Sequence, residues 1–101
     1  MRTRVQVTPQ VAQFVKSLAP EPRRTLNLAI KALARDKGDL KRLEGKLAGY
    51  TRLRVAGHRV IFREDFHSGE RVIDCVFAEK RAVVYELFIK LRAEEIARLG
   101  P

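Results

Sequence analysis

The chain has 101 residues, 46% of them hydrophobic and 33% charged, which excludes a disordered tail and fits one domain with a modest core. Its 21 Lys and Arg against 12 Asp and Glu leave a formal net charge of +9, so an anionic partner, nucleic acid first, is expected to relieve the self-repulsion. The single cysteine, Cys75, excludes an internal disulfide, and no segment forms a secretion signal or approaches the ~20 apolar residues of a membrane span, so a reducing, cytoplasmic location is expected.

Val5 and Val7 alternate with Arg4 and Gln6, the pattern of a half-buried strand, and Thr8-Pro9 then caps a helix with proline in its first turn. Val11, Phe14, Val15 and Leu18 lie on one stripe of that helix, which stops before Pro20. Pro22 opens a second helix with Leu26, Ala29, Ile30 and Leu33 as its apolar stripe and Gly38 as its stop, so residues 9–37 read as an antiparallel helical hairpin. Its Arg23, Arg24, Lys31, Arg35 and Lys37 read as a solvated face. Residues 39–49 are polar with two glycines and read as a connection. Strands are expected at 50–55, 58–63 and 71–78, separated by Ala56-Gly57 and by a polar loop over 64–70. A last helix follows through Leu87 and Leu91 toward Gly100-Pro101, although residues 83–85 also fit the end of the last strand. The expected class is α+β: an antiparallel sheet, an N-terminal helical hairpin and a C-terminal helix in the order βααβββα.

A two-residue turn at Ala56-Gly57 pairs Val55 with His58, Arg54 with Arg59, Leu53 with Val60, Arg52 with Ile61, Thr51 with Phe62 and Tyr50 with Arg63. Leu53, Val55, Val60 and Phe62 then belong against the helical hairpin, while Tyr50, Arg52, Arg54, Arg59 and Arg63 gather on the other face. Like charges opposed across strands destabilise a sheet unless carboxylates or a bound anion offset them. Lys41, Arg42, Lys46, Arg52, Arg54, Arg59 and Arg63 have only Glu44 among them, and Asp74 and Glu86 are the distant acids that would give the cluster a structural role. A bulged three-residue turn would shift this register by one. His58 falls by parity on the core side, His67 in the polar loop, and Cys75 within an apolar strand. No ligand-like spacing joins them, so no metal site and no cofactor are expected.

The run Leu43-Glu44-Gly45, the strand pair Tyr50-Thr51-Arg52-Leu53-Arg54-Val55-Ala56-Gly57-His58-Arg59-Val60-Ile61-Phe62-Arg63, and Val76-Phe77-Ala78-Glu79-Lys80-Arg81 with Tyr85 resemble the RelE/ParE toxin superfamily over essentially the whole chain. The resemblance implies a RelE-like fold and the toxin of a type II toxin-antitoxin system, with mRNA and the ribosome as targets and a cognate acidic antitoxin as partner in a hetero-oligomer. It implies that Arg52, Arg54 and Arg59 grip and activate mRNA, that Lys80 or Arg81 is the counterpart of a catalytic arginine, and that Tyr85 matches a catalytic tyrosine. Arg63 and Lys46 complete the basic residues expected to bind RNA. Two departures stand out: a tyrosine, Tyr50, where such nucleases often carry lysine, and a short interval from the basic pair to Tyr85. The resemblance covers two activities, a metal-independent endoribonuclease and a ParE-like inhibitor of DNA gyrase, and a degenerate RNA-binding module is a third reading.

RNA carries its own nucleophile, the 2′-hydroxyl, so cleavage needs only in-line placement, proton transfer and stabilisation of phosphorane charge. Tyr85 suits either proton transfer or stacking on a base. The apolar stripe Val84, Leu87, Phe88 and Leu91 serves either packing on the sheet or a partner.

Overall fold

The computed structural model, which describes residues 2–99, begins with strand β1 (Arg2–Val7) and passes directly into helix α1 (Pro9–Ser17). Thr8 takes extended backbone and its hydroxyl oxygen accepts from the Val11 amide, the cap expected from Thr-Pro. Helix α2 (Pro20–Ala32) starts two residues earlier than Pro22 suggests, because both prolines fit a first turn whose amides have no helical acceptors. It ends in a 3-10 turn (Leu33–Arg35) closed by Asp36 in left-handed geometry at φ 56°, ahead of the expected stop at Gly38. Gly38 serves a different purpose: at φ 129°, a Cβ there would lie 2.8 Å from Leu53 Cδ1.

Strand β2 (Asp39–Arg42) forms within the segment read as a connection. All four of its residues are exposed, so no hydrophobic alternation marks it, and backbone pairing to β3 (Thr51–Val55) defines it. A 3-10 turn (Gly45–Leu47) joins the two. Strands β4 (His58–His67) and β5 (Glu70–Lys80) are longer than expected, since the residues read as a polar loop continue the ladder to a tight turn at Ser68-Gly69, both at positive φ. Helix α3 (Val84–Leu99) claims residues 84–85 for the helix, and the helix stop expected at Gly100-Pro101 lies outside the described residues. Among the described residues, no helix is long and apolar enough to cross a membrane.

The sheet order is β1-β5-β4-β3-β2. Strands β2 to β5 are antiparallel, as expected for β3 to β5, but β1 lies parallel to β5, with Val5 beside Ile73 and Val7 beside Cys75, making the sheet mixed. The helical hairpin between β1 and the rest of the chain supplies the long crossover a parallel neighbour requires. Where β1 ends, α1 takes over the edge of β5: the Thr8 amide donates to Cys75 O and its hydroxyl to Val76 O, while the Gln10 amide side chain both donates to and accepts from the Ala78 backbone at 2.7 and 2.8 Å.

Two cores sandwich the sheet. On one face Val11, Val15, Leu26, Ile30 and Leu33 of the hairpin meet Leu53, Val60, Phe62, Ile73 and Cys75. His58 joins this side, edge-on to Phe14 at 5.5 Å, and burial among apolar neighbours pushes the Cys75 thiol up to about 12, so it stays neutral. On the other face Leu47, Ile61, Phe77, Val84 and Phe88 form a smaller core under α3, with Tyr50 against Phe88 at 5.0 Å. The register between β4 and β5 steps from Ile61–Phe77 to Phe62–Cys75, leaving Val76 as a bulge.

Candidate nucleic-acid interface

The β3–β4 hairpin has the register that the two-residue turn implies, from Val55–His58 to Thr51–Phe62, and Ala56 makes the turn by adopting φ 53°. Pairing across the sheet then sets out two rows beside α3. One runs Asp39, Arg54, Arg59, Glu79, and the next runs Lys41, Arg52, Ile61, Phe77. The start of α3 covers Ile61 and Phe77 with Val84 and Phe88, and the row of Arg54 and Arg59 lies outside this core, at the turn end of the sheet.

Among the described residues, Arg59 is the only charged residue that is buried, at 6% exposure. One of its terminal nitrogens donates to Ala56 O and to His58 O, each at 2.9 Å, so its guanidinium braces the turn from inside. No carboxylate of the described residues pairs with it. Burial, then the charges of Arg54, Arg52 and Arg81, hold its pKa below the usual arginine value, with Tyr85 acting the other way. An anion placed beside Arg59 would offset the like charges of Arg54, Arg52 and Arg81.

Neighbouring cations are partly satisfied. Arg52 donates to Asp39 Oδ1 at 3.3 Å, and Arg54 Nε lies 3.8 Å from Asp39 Oδ2, so one exposed carboxylate is shared between two guanidiniums. The exposed Arg81 fixes its backbone to the same turn, its amide donating to Gly57 O at 2.9 Å. Lys80 pairs across the strands with His58, on the side of the sheet away from Arg59. Of the two basic residues, it is therefore Arg81 that the structure brings to Arg59. Lys46 is exposed on the 3-10 turn.

Tyr85, half-buried in the first turn of α3, borders a cleft of about 380 Å³ together with Lys41, Leu43, Glu44, Leu47 and Arg52. Arg63 is not part of this assembly. Its Nε lies 3.8 Å from Asp74 Oδ2 and 3.9 Å from Asp65 Oδ2, in a separate cleft with Tyr50, Arg92 and Glu95, and the Tyr50–Phe88 contact stands between. Pairing of Arg63 with Asp74 is the distant structural alternative the sequence already offered. Lys41 and Glu44 were read only as members of the basic segment and not as walls of a cleft with Tyr85, because strand β2, which positions Lys41, carries no hydrophobic signal.

No protein-family model matches the chain, and no curated protein matches it in sequence. Solved structures do. The chain is similar to the RelBE2 toxin-antitoxin complex of Mycobacterium tuberculosis, with TM-score 0.64 and 22% identity over 80% of this chain and 100% of that one. It is also similar to the YoeB/ParE toxin of Agrobacterium tumefaciens, with TM-score 0.62 and 18% identity over 80% and 99%. The archaeal RelE-RelB complex of Pyrococcus horikoshii gives TM-score 0.56 and 26% identity over 80% and 97%. The chain therefore has the α+β fold of the RelE/ParE toxin superfamily.

Proposed function

We propose that this chain is the toxin of a type II toxin-antitoxin system and an mRNA endonuclease that acts on the ribosome. The observation that carries the reading is Arg59, buried and without a carboxylate, inside a ring of Arg52, Arg54, Arg81 and Tyr85. In the proposed reaction the 2′-oxygen of the nucleotide attacks the adjacent phosphorus and the bond to the 5′-oxygen breaks. The 2′-hydroxyl loses its proton and the departing 5′-oxygen gains one, leaving a 2′,3′-cyclic phosphate. Arg59 and Arg81 stabilise the extra charge of the phosphorane, and Arg52, Arg54 and Lys46 hold the flanking phosphates. The partner is an acidic antitoxin, supported by the net charge of +9 and by the antitoxin complexes among the similar structures.

Single-turnover cleavage of an mRNA set in the ribosomal A site, with EDTA present, tests the reading. Arg81→Ala is expected to slow cutting by roughly 10² to 10³. Tyr85→Phe separates the two roles of the ring: a loss of roughly 10² to 10⁴ means proton transfer, and a rate within a few-fold means a stacking platform. A 2′-deoxy nucleotide at the scissile position is expected to abolish cutting while RNA still binds. Cleavage that survives it defeats the mechanism, and inhibition of supercoiling without any cleavage assigns the chain to gyrase instead.

A further inference from the structure

In a face that collects phosphates, a carboxylate is out of place unless it reads something other than phosphate. Glu44 is that carboxylate, bordering the cleft between Lys41, Arg52 and Tyr85. It is not otherwise employed. It stands at the start of the Gly45–Leu47 turn without capping it, and it takes part in none of the ion pairs among the described residues. The remaining walls are the aliphatic Leu43 and Leu47 and the ring of Tyr85, surfaces suited to the flat apolar faces of a nucleobase.

An ionised carboxylate only accepts hydrogen bonds, and it accepts two side by side. On their Watson–Crick edges adenine and cytosine pair one amino donor with a ring-nitrogen acceptor, and uracil flanks one N–H with two carbonyls. Guanine alone offers adjacent donors, its ring N1–H and its 2-amino group. We infer that this cleft is a guanine subsite for single-stranded RNA. The base lies between Tyr85 and the two leucines, its Watson–Crick edge is read by Glu44, and its phosphate is held by Arg52 and Lys41. The inference rests on the proposal that this face binds RNA, and it names the base that the site selects.

The test is direct binding of oligouridine RNA hexamers with one central nucleotide varied among guanosine, inosine, adenosine and cytidine, that nucleotide being 2′-deoxy so that the bond beside it is not cut. Inosine lacks only the 2-amino group, so guanine is expected to bind about tenfold tighter. Glu44→Gln, which places an amide donor against one of the guanine donors, is expected to erase that preference, while Glu21→Gln, the same charge change on α2, keeps it. Equal affinity for guanosine and inosine, a preference undiminished in Glu44→Gln, or no binding by any hexamer overturns the inference. Guanine preference without ribosomal cleavage supports the subsite and defeats the nuclease, whereas cleavage by a protein that binds all hexamers equally does the reverse.

Discussion

Asp39 is where the charge balance of the basic face is set. Among the described residues, its exposed carboxylate is the only one within ion-pair reach of Arg52 and Arg54, and such pairs in water contribute only about 0 to 1 kcal/mol to stability. Asp39→Asn is therefore expected to leave the melting temperature nearly unchanged while freeing two guanidiniums for phosphate. RNA affinity should rise, and its log-log salt dependence should steepen by roughly 0.7 to 0.9 for each further phosphate neutralised. Arg54→Ala is expected to move the slope the opposite way by a similar amount. Salt slopes that stay the same in both variants would mean that these arginines serve the sheet and not a ligand.

Among the elements, α3 and the Asp36 junction bear the most distinct loads. Phe88 is 2% exposed between Tyr50 and Phe77, so Phe88→Ala is expected to cost about 3 to 5 kcal/mol, read as a fall in the urea midpoint. At the far end of the sheet Arg71 donates to both carboxylate oxygens of Asp36, the closer at 2.7 Å, and to Glu64 at 3.1 Å, tying the end of the helical hairpin to the β4–β5 ladder. The Arg71 hydrogen bond holds the Asp36 carboxyl below its ordinary 3.8, and Asp36 in turn raises Arg71. A depressed acid stabilises the fold above its unfolded pKa and loses that contribution as pH falls through its folded value. Unfolding midpoints should therefore drop on acidification below about pH 4, and less steeply in Asp36→Asn; identical acid slopes would remove Asp36 from the account.

These elements also show how far the sequence could be read. The register of the β3–β4 hairpin was legible from Val55–His58 to Thr51–Phe62 because Leu53, Val55, Val60 and Phe62 alternate strictly, and that alternation placed Arg52, Arg54 and Arg59 together, while the expected Tyr50–Arg63 pair lies beyond the end of β3. Strand β2 was not, since an edge strand with no buried side chain has no apolar period, and with it went the placement of Lys41 beside Arg52. Nor did parity separate Arg63 from Arg59. Both lie on one face, and only the seat of α3 across Ile61 and Phe77 divides them.

For the whole molecule, the net charge of +9 works against compactness until a polyanion arrives. Single-stranded RNA at one hundred times its dissociation constant should add about 2.7 kcal/mol, seen as a melting temperature several degrees higher. That increment should fade as salt is raised, and a shift insensitive to salt would point to interactions other than those with phosphate.

The bulge at Val76 bears on how β5 would tolerate a change in length. Since Cys75 opposes Phe62 and Phe77 opposes Ile61, a chain lacking Val76 would keep every remaining side chain of β5 on its present face. What it would lose is the Val76 side chain beside the smaller core and the carbonyl that receives the Thr8 hydroxyl, one of the fastenings between the start of α1 and the sheet. A deletion variant at this position should therefore fold with an unchanged sheet and unfold at lower temperature, making the extra residue a clasp rather than a spacer.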